Sequence, residues 1–291
     1  MITAPLDPRA VAILACPVCG ARLSATAGET GLECAAGHRF DRARQGQVTL
    51  LPPGHRPPSG DSAQMVADRV AFLEAGHYAG VTHALADAVA VAVGPAPSAL
   101  LDLGGGTGHH LAGVLDRLPA AVAVALDSSP YAARRAARAH PRAVAVVADT
   151  WARLPVADRV VDRVLVVFAP RNGPEIARVL RDDGRLVVVT PAADHLRELV
   201  GPLGLLRVDP DKAARLAATL EPHLEPVATA VHRERLRLDR AAVGTLVGMG
   251  PHARHLARDD VRTSLSGFPE PLHVTVSVQI STYRTAPARS S

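Results

Sequence analysis

The stretch LLDLGGGTGHH, from Leu100 to His110, decides the fold that this sequence predicts. An apolar, strand-like run leads into a cluster of glycines, and a helical pattern begins directly after them. Glycines in that place let the backbone approach a ligand closely at the N-terminus of a helix, where free amides point outward. The stretch therefore predicts a strand, a ligand-binding turn and a helix in succession.

Short apolar runs alternate with helical patterns on both sides of this turn. The runs are ALLDLG, AVAVALD, AVAVVAD, VVDRVLVVFAP and GRLVVVTP. Each is rich in valine or leucine and bounded by chain-breaking residues, which is typical of buried strands in a parallel sheet. A last run, HVTVSVQIST, alternates polar and apolar residues and predicts an antiparallel final strand. The expected fold is α/β with a mainly parallel sheet.

The spacing of the glycines distinguishes between two classes of cofactor. A dinucleotide site needs G-x-G-x-x-G, and here His109 stands where the third glycine would be. The compressed spacing of Gly104 and Gly106, with the acidic Asp102 just before the turn, favours S-adenosylmethionine instead.

Two further aspartates end the next two predicted strands. Asp127 would accept hydrogen bonds from the ribose hydroxyls, and Asp149 would lie beside the adenine amino group. Both stand at carboxyl ends of strands, the edge at which open α/β sheets bind ligands. Each aspartate alone is equally consistent with a turn residue or a helix cap. As an ordered set after the glycine turn, they favour the cofactor.

The N-terminal segment contains a metal-binding pattern, C-x2-C-x14-C-x3-H, formed by Cys16, Cys19, Cys34 and His38. Two close pairs separated by a loop can converge on one tetrahedral ion, and four protein ligands leave no open position. The sequence therefore predicts one structural zinc ion per chain. The alternative is three buried cysteines and an unrelated histidine, but all three cysteines of the chain fall into the one pattern.

Composition excludes several classes of protein. Three cysteines cannot form the disulfide framework of a secreted domain. Aromatic residues make up only 3% of the chain, too few for the stacking platforms of single-strand binders. The net charge of +4 permits an anionic partner without requiring one. No stretch resembles a signal peptide or a membrane span, so we expect a cytoplasmic protein with no membrane partner.

The chain divides into two predicted domains. Residues 1–58 form a zinc-ribbon-like domain with the Pro/Gly-rich linker LPPGHRPPSG, and residues 59–291 form the domain that carries the glycine turn. A helix capped by Asp61 or Ser62 opens the second domain, and Gly76 ends it. A second helix is expected from about Ala79 to Val93.

Several stretches together resemble one enzyme family. They are HRFDRARQGQVTLL, GDSAQMVADRVAFLEAGHY, LDLGGGTGHH, FAPRN and the closing TP, in addition to the zinc pattern. This combination resembles the bacterial 23S rRNA (guanine-N1)-methyltransferases over most of the chain. The GGGTGHH and FAPRN variants are most similar to the macrolide-resistance branch from antibiotic-producing actinobacteria.

The resemblance implies a class I methyltransferase fold behind a zinc-binding domain, and a homodimer. It implies methyl transfer from S-adenosylmethionine to N1 of a guanine in a 23S rRNA hairpin near the peptide exit tunnel, with macrolide self-resistance as the expected role. The family's cofactor-contacting positions match Tyr78, Gly106, Thr107 and His195. Residue type alone would not single out the tyrosine or the histidine.

The general base stays unassigned. Guanine N1 carries a proton at neutral pH, which a group of the enzyme must remove or share. Asp149, His195 and the FAPRN segment from Phe168 to Asn172 are candidates, and none is favoured. Phe168 could stack on the guanine or simply belong to the core.

Arginines, which supply all but one of the 32 basic residues, form four groups that could contact RNA phosphates. They are Arg39, Arg42 and Arg44; Arg134, Arg135, Arg138 and Arg142; Arg233, Arg235 and Arg237; and Arg254, Arg258 and Arg262. The first group is the preferred one, because it belongs to the zinc module.

Two other functions remain open from the sequence. One is a small-molecule methyltransferase of an antibiotic biosynthetic pathway, built on the same frame. The other is a zinc-ribbon RNA-binding protein without catalysis, which the complete glycine turn with Asp127 and Asp149 disfavours.

Overall fold

Strands and helices alternate along most of the computed structural model, as the sequence predicts. It describes residues 5–55, 60–91, 99–201, 203, 218–250, 253, 258–268 and 270–286. The strands, in chain order, are β1 (Leu23–Ala25), β2 (Gly31–Cys34), β3 (Arg39–Asp41), β4 (Val48–Thr49), β5 (Ala99–Leu103), β6 (Val122–Asp127), β7 (Ala143–Val147), β8 (Val161–Val167), β9 (Leu180–Pro191), β10 (Leu224–Leu238) and β11 (Leu272–Thr285). The helices are α1 (Pro8–Val11), α2 (Ala63–Glu74), α3 (Ala79–Val91), α4 (His109–Arg117), α5 (Pro130–Ala136), α6 (Gly173–Val179), α7 (Arg197–Val200), α8 (Arg240–Gly248) and α9 (Arg258–Leu265).

Eight of the strands form one sheet in the order β10-β11-β9-β8-β5-β6-β7-β4. The neighbours from β9 to β4 run parallel, while β11 pairs antiparallel with both β9 and β10. The predicted parallel sheet with an antiparallel final strand is therefore confirmed. Strand β10, from Leu224 to Leu238, pairs along the whole length of β11 and forms one edge of the sheet.

Apolar residues cover both faces of the sheet, as its continuous apolar strands require. On β5, Leu101 and Leu103 face one hydrophobic core together with α1 and α6, and Leu100 faces the other, together with α2, α3, α4 and α8. All three leucines have essentially no exposed surface. The covering helices leave the carboxyl ends of the parallel strands as the edge at which polar side chains collect.

The helices before β5 begin and end close to the predicted positions. Ser62 caps α2 by accepting a hydrogen bond from the Met65 amide at 3.2 Å, and Gly76, with φ of 80°, follows the end of that helix. Helix α3 is described as far as Val91, and its predicted end at Val93 lies outside the described residues. None of the described helices is long and apolar enough to cross a membrane.

The N-terminal module consists of α1, the three-stranded antiparallel sheet β1-β2-β3, and β4. Its strand β4 joins the edge of the large sheet, with Val48 opposite Val146 and Thr49 opposite Val147. The pairing continues because the Leu50 amide donates to the Val147 carbonyl at 2.9 Å. The module is thus hydrogen-bonded into the same sheet that carries the glycine turn.

Candidate cofactor site and zinc centre

Four metal-binding side chains meet in the N-terminal module, those of Cys16, Cys19, Cys34 and His38. Their ligand atoms all lie within 4.8 Å of one another. His38 Nδ1 is 3.6 Å from Cys16 Sγ and 3.4 Å from Cys34 Sγ, and the Sγ atoms of Cys19 and Cys34 are 3.7 Å apart. A tetrahedral zinc ion spaces sulfur and nitrogen ligands by about 3.5 to 3.8 Å, given its bond lengths. The donor set and its geometry fit one structural zinc ion.

Two tight turns bring the ligands into place. The Gly20 amide donates to the Cys16 carbonyl, and the Gly37 amide donates to the Cys34 carbonyl, both at 2.9 Å. The two glycines have φ angles of 75° and 83°, a region that side chains other than glycine rarely adopt. Each half of the metal pattern therefore needs its glycine, for the geometric reason that the sequence indicates.

The glycine turn lies at the carboxyl end of β5, in the middle of the large sheet. Gly104, Gly106 and Gly108 all have positive φ angles, of 73°, 56° and 76°. The Gly104 amide donates to the Leu126 carbonyl of β6 at 2.8 Å, and a Cβ atom on Gly104 would lie 2.5 Å from the Cβ of Ala169. The turn thus presents bare backbone to the edge where the ligand is expected.

Asp127 connects the glycine turn to the loop after β6. Its Oδ2 accepts a hydrogen bond from the Gly106 amide at 2.9 Å, and its Oδ1 accepts one from the Ser129 amide at 2.7 Å. Burial raises the pKa of this carboxyl, although these two hydrogen bonds act in the opposite direction. Thr107, in the same turn, is also buried. The carboxylate is held beside the turn, where the sequence places the ribose.

Asp102 is a buried acid with few groups around it that would stabilise a negative charge. It is 2% exposed, and its Oδ1 has no hydrogen-bond partner among the described residues. Its Oδ2 lies behind the turn, 2.8 Å from where a Cβ on Gly105 would be. Burial and the nearby Asp127 raise the pKa of Asp102 to about 7. A cationic ligand group in the turn would compensate this buried acid.

We expect cofactor binding to release a proton from Asp102. With a pKa of about 7, this carboxyl is mostly protonated at pH 6, and the ammonium group of a bound S-adenosylmethionine favours the ionised form. Affinity should therefore rise with pH up to about 7 and level off above it. Calorimetric titration at pH 6 in two buffers of different ionisation enthalpy measures the release. Asp102→Asn should abolish it, and identical heats for the wild type in both buffers would contradict the assignment.

Asp149 lies at the end of β7 and contacts the linker of the N-terminal module. Its Oδ1 accepts a hydrogen bond from the Trp151 amide at 2.8 Å, and its Oδ2 lies 2.8 Å from Nε2 of His55. The Asp149 side chain is 9% exposed, whereas that of His55 is 35% exposed. The residue predicted to meet the adenine is therefore also the contact point between the linker and the sheet.

A row of rings borders the same edge. Tyr78 is buried, and its ring centroid lies 6.3 Å from that of Phe168, which in turn lies 6.0 Å from that of His195. Phe168 is 42% exposed and has a φ of 53°, which is unusual for a residue other than glycine. The exposed ring is not part of the core, and the strained backbone holds it at the mouth of the site. The tyrosine and the histidine that the family resemblance singled out thus both lie beside Phe168.

The hydrogen bonding of His195 determines its tautomer. The Ser277 amide donates to His195 Nδ1 at 3.2 Å, so this nitrogen is an acceptor and the neutral ring carries its proton on Nε2. Burial lowers the pKa of the ring to about 4, which keeps it neutral at physiological pH. Nε2 of His195 is therefore a hydrogen-bond donor, and the ring has no free nitrogen with which to accept a proton.

Asn172, the last residue of FAPRN, is occupied by structural contacts. Its Nδ2 donates to the carbonyls of Trp151 at 3.0 Å and Ala152 at 3.2 Å, and its Oδ1 accepts from the Glu175 amide at the start of α6. It links the loop after β8 to the loop after β7. Phe168, at the other end of the segment, keeps an exposed ring, while Ala169 packs against Gly104 of the turn.

The arginine groups differ in how freely they face solvent. In the zinc module, Arg44 is exposed, Arg39 is paired with Glu33 at 3.0 Å, and Arg42 donates from Nε to the Gly46 carbonyl.

In the other groups, Arg142 is turned inward and donates to the carbonyls of Leu115, Leu118 and Ala121, which makes it a brace for the end of α4. Arg233, Arg235 and Arg237 are exposed on β10. Arg254 lies outside the described residues, as do the side chains of Arg258 and Arg262.

Two residues at this edge were missed from the sequence, Arg69 on α2 and His55 in the linker. Arg69 packs against Gly106, and His55 contacts Asp149, which is 94 residues away along the chain. No local pattern marks either residue, because each contact depends on how distant segments pack.

Two family models match the chain. A zinc-ribbon model described as "RlmA, N-terminal" matches residues 14–57, and a model described as "Methyltransferase domain" matches residues 100–184. The first contains all four zinc ligands, and the second begins at β5 and contains the glycine turn, Asp127 and Asp149. The matches thus cover the zinc centre and the strand-end part of the cofactor site, while Tyr78 and His195 lie outside them.

Relatives resemble the chain over nearly its full length. A 23S rRNA (guanine(748)-N(1))-methyltransferase of Streptomyces fradiae is 48% identical, over 95% of this chain and 98% of the relative. A Micromonospora griseorubida protein named as a 23S rRNA (guanine-N(1)-)-methyltransferase is 51% identical, over 96% of this chain and 99% of the relative. The Bacillus subtilis protein YxjB, named for the same reaction, is 30% identical over 91% of this chain and 94% of the relative.

Proposed function

Because the chain belongs to the family of the 23S rRNA (guanine-N1)-methyltransferases, we propose that it methylates N1 of a guanine in a 23S rRNA hairpin near the peptide exit tunnel. S-adenosylmethionine is the methyl donor. The observation that carries this proposal is identity of about half the residues over both the zinc module and the methyltransferase domain.

The polar edge of the sheet supports a definite set of cofactor contacts. The residues proposed to hold S-adenosylmethionine are Tyr78, Asp102, Gly104, Gly106, Thr107, Asp127, Asp149 and His195. In this proposal Asp127 accepts the ribose hydroxyls, Asp149 receives the adenine amino group, and Asp102 faces the positively charged methionyl end. Bare glycine backbone, a buried acid whose Oδ1 has no hydrogen-bond partner among the described residues, and two strand-end carboxylates fit that molecule.

The chemistry requires the target base to lose a proton. The bound cofactor supplies an electrophilic methyl group, and guanine N1 carries a hydrogen at neutral pH that must leave as the new bond forms. His195 does not take it, since Nδ1 accepts from Ser277 and Nε2 already carries hydrogen. Its role in this proposal is to donate a hydrogen bond and orient a bound group. The base that accepts the N1 proton stays unassigned.

Phe168 is the proposed wall for the guanine. N1 of a paired guanine is hidden in the helix stem, so the base must leave its pairing to be methylated. An aromatic ring that is 42% exposed beside His195 and Tyr78 offers a face on which the extruded base can stack.

Recognition of the RNA is assigned to residues 1–58, and catalysis to residues 59–291. Arg39, which directly follows the ligand His38 and pairs with Glu33, and the exposed Arg44 are the arginines of the zinc module proposed to contact RNA phosphates. The enzyme is proposed to act as a homodimer in the cytoplasm, where ribosomes are assembled, and to protect its host from a macrolide. Expression in a macrolide-sensitive strain measures the last point directly.

The decisive experiment combines the purified protein with labelled S-adenosylmethionine and 23S rRNA. We expect one labelled guanine, located by a stop of reverse transcriptase, because a methyl group on N1 blocks the Watson–Crick edge. Absence of label in the RNA, together with labelling of a macrolide precursor, would instead establish the small-molecule alternative. The variant Asp116→Asn, which changes an exposed side chain on α4, serves as the positive control and should methylate the RNA like the wild type.

A further inference from the structure

Arg69 places a positive charge against the glycine turn from the side of α2. A Cβ atom on Gly106 would lie 3.2 Å from Arg69 Nη1 and 3.8 Å from Arg69 Cδ. The guanidinium group therefore lies on the face of Gly106 that glycine leaves open, and its side chain is 25% exposed. Any larger residue at Gly106 would push this cation away from the turn.

Contacts on two sides hold the guanidinium group in this position. Nη1 forms an ion pair with Asp61, and Nη2 donates to the Met249 carbonyl at 2.9 Å. Asp61 is anchored in turn, because the Ser129 hydroxyl donates to its carbonyl oxygen at 2.7 Å. A guanidinium group has five N–H groups. In the described part of the chain, one on Nη1 is paired with Asp61 and one on Nη2 with the Met249 carbonyl. The remaining donors are available to a ligand at the turn.

The charges around the turn are otherwise acidic. Asp61, Asp102 and Asp127 all lie at this end of the site. The negative charge of Asp61 raises the pKa of Asp127, whereas the positive charge of Arg69 lowers it. The nearby His109 and His110 do not add positive charge, since burial lowers the pKa of both rings. An anionic ligand group that enters here needs a cation, and within the described part of the chain Arg69 is the cation that contacts Gly106 of the turn.

We infer that Arg69 binds the α-carboxylate of the methionine part of S-adenosylmethionine, an assignment that rests on the proposed function. A planar guanidinium group matches a carboxylate with two parallel hydrogen bonds. Asp102 then faces the ammonium group of the same zwitterion, so that the two ends of the amino acid meet groups of opposite charge. The ion pair with Asp61 orients the guanidinium group for this contact.

The test compares two ligands that differ only in the carboxylate, S-adenosylmethionine and its decarboxylated form, by calorimetric titration without RNA. Loss of a charge-assisted hydrogen-bonded pair weakens binding by about 10- to 100-fold. Arg69→Gln and Arg69→Met should each weaken S-adenosylmethionine binding by that factor and leave binding of the decarboxylated form within about twofold. Arg69→Lys should lie between these variants and the wild type. Arg117→Gln, an exposed arginine on α4 paired with Asp87, is the matched control and should change neither affinity.

Other outcomes overturn the inference. Equal losses for both ligands would make Arg69 a brace between α2 and α8, and unchanged binding of both ligands with weaker RNA binding would make it a phosphate contact. Melting temperatures of the variants identify any general loss of folding. Failure of the wild-type protein to bind S-adenosylmethionine would instead overturn the proposed function, and it is recognised before any variant is measured.

Discussion

Replacement of Cys34 by serine is expected to abolish methylation of 23S rRNA while cofactor binding persists. Cys34 is buried at the end of β2, and its Sγ lies within hydrogen-bonding range of both Cys19 Sγ and His38 Nδ1. Metal binding supplies about 10 kcal/mol or more to small zinc modules, so loss of one thiolate ligand should unfold β1, β2 and β3. The cofactor residues of the glycine turn lie outside the module. We therefore expect at least a 100-fold loss of RNA methylation, with S-adenosylmethionine affinity changed by only a few-fold.

Three measurements check this expectation. Metal analysis should fall from one zinc ion per chain toward zero, hydrogen exchange should show loss of protection in the module, and the methylation assay should lose its signal. Ser24→Ala is the matched control, because Ser24 is exposed on β1 and its hydroxyl reaches only a carbonyl oxygen, that of Glu33. Retention of a full zinc ion by the Cys34 variant, or methylation at the wild-type rate without zinc, would contradict the assignment.

Asp127→Asn should have a comparable effect through the cofactor. The carboxylate accepts one amide on each oxygen, from Gly106 and from Ser129. Asparagine has nearly the same shape but only one acceptor atom, so its NH2 group must face a backbone N–H. A buried donor without an acceptor costs about 1–3 kcal/mol, and loss of the charged acceptor for the ribose adds a similar amount. We expect S-adenosylmethionine to bind about 100-fold more weakly or worse.

Calorimetry on the Asp127 variant measures this loss without RNA, and thermal unfolding shows how much of it is general destabilisation. Asp116→Asn makes the same chemical change at a carboxyl that is 75% exposed on α4, and it should bind the cofactor like the wild type. If Asp127→Asn bound S-adenosylmethionine with unchanged affinity, the proposed ribose contact would be wrong.

Features carried by short stretches of sequence were predictable. The glycine turn needs positive φ angles at Gly104, Gly106 and Gly108, and only glycine adopts them without strain, so the motif itself indicates the backbone. The zinc ligands are likewise defined by spacing. The strand ends at Asp127 and Asp149 follow from runs of apolar residues that stop at an acid.

Features that depend on distant packing were not predictable. The tautomer of His195 is determined by the amide of Ser277, which lies 82 residues further along the chain. The place of Arg69 depends on Gly106 and Met249, and the inward turn of Arg142 depends on where α4 ends. The sequence predicted Arg142 to contact RNA phosphates together with Arg134, Arg135 and Arg138. Residue type indicates what a side chain can do, but its surroundings decide which role it has.

The short strand β4 has a mechanical consequence. It contains only Val48 and Thr49, yet it hydrogen-bonds the segment after the zinc ligands to β7, the strand whose end leads to Asp149. A recognition module on a loose tether would sample many distances from the catalytic edge. A module joined to the sheet keeps a constant one, so under the proposed function we expect the zinc module to set which nucleotide of a bound RNA reaches the methyl group. Mutations in β4 should therefore change the position of the modified base before they change the rate.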